Sequence, residues 1–169
     1  SDVYKRQVVQ MAKELKKIGV DYFTVKPFSQ HPQSGNILQV DYQELLGVEQ
    51  ELKDIATDDY KIYFRAHSMQ KLICKRDYDQ CLALPFMVYI DAKGNLWPCI
   101  VFMGKEELSY GNLYQESFEE IWEGERRKKL MEYFYALDLE KNCRELCRLD
   151  EMNKYLAELK HPGEHVNFI

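Results

Sequence analysis

The chain has 169 residues, 46% of them apolar, and carries a formal net charge of -5 at pH 7 with a pI near 5.5. That length and apolar content suit one full domain or two partial ones sharing a core, and the acidic balance argues against nucleic acid as a partner, since such binding leans on clustered Lys and Arg. No apolar run approaches the ~20 residues needed to cross a bilayer, so no membrane partner is expected and the chain is assigned to the cytoplasm.

The opening SDVYKRQ lacks an initiating Met. It resembles translated adapter sequence, so the N-terminus is expected to be a cut, and the residues before about Gln7 to carry no biological information. Val8, Met11, Ala12, Leu15 and Ile18 then recur on one helical face, and Gly19 stops the pattern. Tyr22 to Lys26 alternates as a strand until Pro27 breaks it, and SQHPQSGN is loop chemistry. Asp41 with Glu44 resembles a capping box ahead of a second stripe, Leu45, Val48, Leu52 and Ile55, and a short strand follows from Lys61 to Phe64. Helix, strand, helix, strand with short links is the grammar of parallel β/α units.

That grammar changes after about Arg76. Met87 to Ile90, then Asp-Ala-Lys-Gly, then Leu96 to Phe102 reads as an antiparallel hairpin in which Gly94 supplies a left-handed turn position. The turn is expected to pair Ile90 with about Asn95 and to set Cys99 opposite Phe86. Ser117 and Glu120 cap a long helix carrying Phe118, Ile121, Trp122, Leu130, Met131 and Phe134, with Gly124 weakening its middle. Its basic run, Arg126 to Lys129, follows four glutamates and reads as a mixed, solvated face. Trp97 and Trp122 are expected in the core. A last helix spans about Asp150 to Lys160. In the tail, His161, His165 and Asn167 could form a metal or substrate patch, but Val166, Phe168 and Ile169 read better as docking on the body.

Of the five cysteines, four form two pairs: Cys81 and Cys99 on the shoulders of the hairpin, and Cys143 and Cys147 separated by Arg-Glu-Leu. A Cys81–Cys99 disulfide fits poorly, because the hairpin register leaves Cys81 about five residues beyond its partner's level and cytosolic redox poise disfavours it. Structural zinc accepts four thiolates but usually takes each pair from a tight knuckle, and only Cys143 with Cys147 has that spacing. An iron-sulfur cluster is larger and needs thiolates from several directions, which suits one wide and one close pair, with Arg144 and Arg148 placed to offset its charge. Buried inert thiols are the remaining reading.

Cys-x12-Gly-x4-Cys followed after a gap by further cysteines resembles the auxiliary-cluster module of radical S-adenosylmethionine enzymes, the SPASM and shorter twitch domains. YIDAKGNLWPCI, YGNLYQESFEEIW and CRLDEMNKYLAELKHPGEHVNFI are similar to the same module, from about Asp77 to Ile169. VDYFTVKPF and its neighbours resemble the last strands of that family's barrel. The resemblance implies an α/β chain: residues 1–76 as the last β/α units of a partial TIM-like barrel, and 77–169 as a small α+β module with a β-hairpin and C-terminal helices. It implies that Cys81, Cys99, Cys143 and Cys147 ligate one auxiliary [4Fe-4S] cluster, with Gly94 needed for the turn and Cys74 an incidental or buried thiol. Only two cysteines follow Cys99, which favours the single-cluster form.

The radical-generating Cys-x3-Cys-x2-Cys loop of that family is not matched, because the position after Cys143-x3-Cys147 that should be cysteine is Asp150. S-adenosylmethionine and a second [4Fe-4S] cluster are therefore expected only in a full-length enzyme, of which this chain reads as a C-terminal fragment. The implied activity is that of an oxidoreductase acting on a small molecule or peptide, with an electron-transfer protein as a further partner. The rival reading is a non-catalytic zinc-binding or interaction module. Because β/α barrels gather chemistry at the C-terminal ends of their strands, Lys26 and His31 after the first strand, and Arg65 and His67 after the second, are the candidate substrate contacts, with Gln30 beside them.

Overall fold

The computed structural model describes residues 2–35 and 37–163. The chain divides into two compact units, one ending at Lys75 and the other starting at Arg76, except that His31–Gln33 belongs with the second.

In the first unit, helix α1 (Asp2–Ile18) ends where Gly19 takes a φ of +85° and donates its N–H to the Leu15 and Lys16 carbonyls. This is the left-handed stop that the sequence predicts. The face differs from expectation: Val9 and Ala12 are buried, whereas Met11 and Ile18 are exposed. Strand β1 (Tyr22–Val25) pairs in parallel with β2 (Lys61–Phe64), in the register Tyr22 to Lys61 through Val25 to Phe64. The predicted second helix is broken at Gly47 into α2 (Tyr42–Leu46) and α3 (Glu49–Ile55), while Asp41 caps the first by accepting the Glu44 N–H at 3.0 Å. Helix α4 (Ala66–Ile73) follows β2.

Leu45, Val48, Leu52 and Met69 join Val9, Ala12 and Val25 in this unit's core, with Phe23, Ile62 and Phe64 packed against it. A fully buried side chain of that kind contributes about 1.5–3 kcal/mol. The buried Tyr60 hydroxyl donates to the Ala12 carbonyl at 3.0 Å, fixing α1 against the loop that feeds β2. Among the described residues, two β/α units with one parallel strand pair are present.

The second unit is built on a three-stranded antiparallel sheet in the order β3 (Tyr89–Ile90), β4 (Asn95–Trp97), β5 (Gly111–Asn112). Its turn corrects the predicted register by one residue, since Ile90 pairs with Leu96 and Tyr89 with Trp97. The reason is the Asp91 carboxylate, which accepts the backbone N–H groups of Lys93 and Asn95, the Asn95 amide and the Trp97 indole N–H, all at 2.8–3.0 Å. Gly94 sits at φ +78°, and a Cβ there would lie 2.9 Å from the Tyr114 ring, so both conformation and space demand glycine. The second strand stops at Trp97, because Pro98 has no N–H to continue the ladder, and Ile100–Phe102 is a 3-10 turn where a strand was expected.

Ser117 and Glu120 form the predicted capping box at α5 (Phe118–Glu123). The expected long helix divides at Gly124, and α6 (Glu125–Tyr135) continues beyond it. Of its basic run Arg126 is exposed and Arg127 is half-buried, and both have partners beyond the surface pairing expected. Arg126 donates to the carbonyls of Ser109 and Glu106, and the half-buried Arg127 guanidinium lies 3.7 Å from the centre of the Trp122 ring. Lys128 does form the expected surface pair, with Glu125 at 2.8 Å. Short α7 (Leu139–Asn142) and α8 (Asp150–Lys160) complete the unit. Its core holds Leu84, Leu96, Tyr110, Ile121, Met131 and Phe134. No helix is long and apolar enough to cross a membrane, among the described residues. Of the tail, only His161 is described, exposed at the end of α8; the expected docking of Val166, Phe168 and Ile169, and the alternative patch with His165 and Asn167, lie outside the described residues.

Candidate metal centre

All five cysteines are free thiols, so Cys81 and Cys99 form no disulfide. Cys74 is exposed at the end of α4 in the first unit, not buried. The other four are half-buried in the second unit. Cys81 lies just before the 3-10 turn Leu84–Phe86, and Cys99 caps the 3-10 turn Ile100–Phe102. Both pack against the unit's apolar core. Cys143 ends α7, and Cys147 occupies the turn that leads into α8.

Polar ties draw these segments together. The Arg76 guanidinium donates to the Leu139 carbonyl at 2.9 Å and to the Arg144 carbonyl at 2.5 Å, clamping the backbone on both sides of Cys143. The Tyr78 hydroxyl donates to Asp150 at 2.9 Å, and Lys154 pairs with the same carboxylate at 3.1 Å. Asn153, 1% exposed, accepts the Ala83 N–H at 2.9 Å and places its amide nitrogen 3.5 Å from the Cys81 sulfur. The Leu149 N–H donates to the Cys147 sulfur at 3.3 Å, and the Cys143 sulfur lies 3.6 Å from the Arg144 carbonyl oxygen.

The charge of Cys147 acts on Cys81, Cys99 and Cys143, behind the larger effects of burial and hydrogen bonding. Burial pushes the Cys81 thiol up, with the Asn153 amide pulling the other way. Burial also pushes Cys99 up to about 11. Cys143 and Cys147 share a hydrogen bond that pulls the Cys147 thiol down and pushes the Cys143 thiol up, and the Leu149 N–H also favours the Cys147 thiolate. Arg76 favours the thiolate at both positions of this pair.

Four soft donors gathered in a half-buried setting, with N–H groups directed at two of the sulfurs, suit a group that binds thiolates. Among the described residues no three His, Cys, Asp or Glu side chains are arranged to hold a metal ion.

Residues 81–149 match the family model of SPASM, an iron-sulfur cluster-binding domain. The matched stretch begins at Cys81 and contains all four clustered thiols. It also contains the Asp91 turn and the Gly111–Asn112 strand, where Asn112 donates to the Lys93 carbonyl at 2.9 Å and to the Asn95 side chain at 2.7 Å. No curated protein and no solved structure matches the chain.

The candidate substrate contacts fall in both units. Lys26 and Arg65 follow the paired strand ends Val25 and Phe64, and the Arg65 N–H donates to the Val25 carbonyl at 2.9 Å. Both side chains are exposed. Arg65 lines a shallow cavity of about 460 Å³ with Lys53, Tyr63 and Phe64. His67 is exposed in the first turn of α4, Gln30 donates to the Ser34 carbonyl at 3.3 Å, and His31 belongs to the second unit, where its ring accepts the Gln33 N–H at 3.2 Å.

Sequence reasoning named Arg144 and Arg148 as the offsetting charges and passed over Arg76, Asn153 and Asp91. Arg144 does lower the Cys99 thiol, but Arg76 acts on the close pair. A lone arginine some 60 positions before its partners carries no local signal. The Asp91 role was legible in principle, since Asp followed two positions later by a turn backbone N–H is an Asx turn.

Proposed function

We propose that the second unit binds an auxiliary [4Fe-4S] cluster through Cys81, Cys99, Cys143 and Cys147, and that it serves in a radical S-adenosylmethionine oxidoreductase. The observation that carries this reading is four free, half-buried thiols of one unit within a stretch matched to an iron-sulfur cluster-binding domain. The parallel β1–β2 pair with its helices supports a β/α catalytic partner for that unit. The reading puts the radical-generating Cys-x3-Cys-x2-Cys loop outside these 169 residues.

A bound cluster would supply an electron acceptor, or an anchoring point, beside the substrate. The chain's own residues prepare that site. Leu84 and Leu96 exclude water behind Cys81 and Cys99, Arg76 holds the Cys143 turn and adds positive charge, and Leu149 and Asn153 direct N–H groups at sulfur. Lys26, Arg65, His67 and His31 stand as candidate contacts for a small-molecule or peptide substrate, and an electron-transfer protein would restore the cluster's oxidation state.

Anaerobic expression and reconstitution, followed by iron and sulfide assays and visible absorbance, test the reading. The brown chromophore should appear in the wild-type chain, vanish in Cys81→Ala and Cys147→Ala, and persist in Cys74→Ala. A colourless protein carrying one equivalent of zinc would replace the proposal with that of a structural zinc module.

A further inference from the structure

We infer that Asn153 is a positioning residue that sets the reduction potential of the group held by Cys81, by donating an amide N–H to that ligand's sulfur. The inference rests on the cluster reading above and concerns a residue beyond the matched stretch.

Three observations carry it. Asn153 is 1% exposed, so each polar atom of its amide must find a partner within the protein. The Ala83 N–H, at 2.9 Å, can donate only to the amide oxygen; a flipped amide would set donor against donor. With the oxygen fixed, the amide nitrogen is committed to the Cys81 sulfur at 3.5 Å. The helix that carries Asn153 is itself anchored, because Tyr78 and Lys154 both bind Asp150 in its first turn and the Asn153 N–H donates to Leu149 at 2.8 Å. The donor is thus held in place before any ligand arrives.

Hydrogen bonds to a ligand sulfur are among the factors that set the potential of an iron-sulfur centre, together with net charge and solvent exposure. A neutral N–H donor stabilises the more negative, reduced state, so Asn153 raises the potential. A purely structural role, support of the Ala83 backbone through the amide oxygen, would leave the potential alone.

Substitution separates the two roles. Asn153→Asp keeps an acceptor for Ala83 but removes the donor and turns a negative charge toward sulfur; Asn153→Leu removes both contacts. The test is a potentiometric titration of the reconstituted full chain followed by electron paramagnetic resonance. At the wild-type midpoint, the reduced-to-oxidised ratio should fall about tenfold in both variants, which is ~59 mV for one electron. An unchanged midpoint with the chromophore intact would overturn the inference and leave the cluster reading standing. A wild-type chain that takes up no iron and sulfide would overturn both. Should the two variants lose the cluster, Asn153→Gln, which retains the amide, must restore cluster and midpoint together, and failure to do so would also overturn the inference.

Discussion

The two thiol pairs of the second unit are held by different physics. Cys81 and Cys99 rest on an apolar core, beside Leu84 and the fully buried Leu96, and their positions follow from excluded water and close packing. Cys143 and Cys147 sit on a connection between two helices, where Arg76 grips two carbonyls and the Leu149 N–H steadies one sulfur. The first pair is a consequence of folding the sheet. The second depends on a few directional polar bonds, so it can be loosened without dismantling the core.

The comparison can be broken most severely at Leu96. Leu96→Ala should cost about 3 kcal/mol in denaturant unfolding, and in the cluster-free chain it should speed alkylation of Cys81 and Cys99 more than that of Cys143 and Cys147, read residue by residue by mass spectrometry. Uniform acceleration at all four would mean the pairs share one support. Arg76→Lys reverses the pattern with a smaller cost, about 2 kcal/mol, because an ammonium cannot span two carbonyls as the guanidinium fork does. Cys143 and Cys147 should then become the faster pair, and bound iron should fall.

The smallest effect is the acid limb of the hairpin. Four N–H donors, the Asn95 amide foremost, hold the Asp91 carboxyl at about 2 against an ordinary 3.8. Its folded value is depressed, so the contribution is fully present above about pH 3.8 and is lost as pH falls from there toward 2. Acid unfolding followed by tryptophan fluorescence should show that limb in the wild-type chain. Asp91→Asn should flatten it, and an unaltered acid profile would remove Asp91 from the account.

Local signals were read well where one residue's chemistry acts on its near neighbours. Gly19 as a left-handed stop, Ser117 with Glu120 as a capping box, and the Asp150 start of α8 all follow from residues within one turn of the feature. The strands β1 and β2 were legible from alternation and a following Pro or polar residue. Spacing sorted four of the five cysteines into two pairs, and the structure sets both pairs in the second unit, apart from Cys74.

What escaped the sequence was decided by partners far along the chain. Met11 and Ile18 fit the helical period as well as Val9 does, and only the placement of α3 and β2 determines which face is covered. The one-residue register shift came from the Asp91 side chain competing for backbone N–H groups, which counting from a turn glycine does not include. Arg127 looked solvated because its neighbours are charged, yet it is half-buried against the Trp122 ring.

The ties that complete the thiol group have one property in common: Arg76 to Leu139 and Arg144, Tyr78 to Asp150, and Ala83 to Asn153 bridge 63, 68, 72 and 70 positions. Translation delivers the early member of each tie long before the late one. The hairpin can fold on the ribosome while its counterpart is still unmade, and the enclosure is finished only when α8 emerges. The segments that carry the four thiols can therefore be tied together only after α8 has been made.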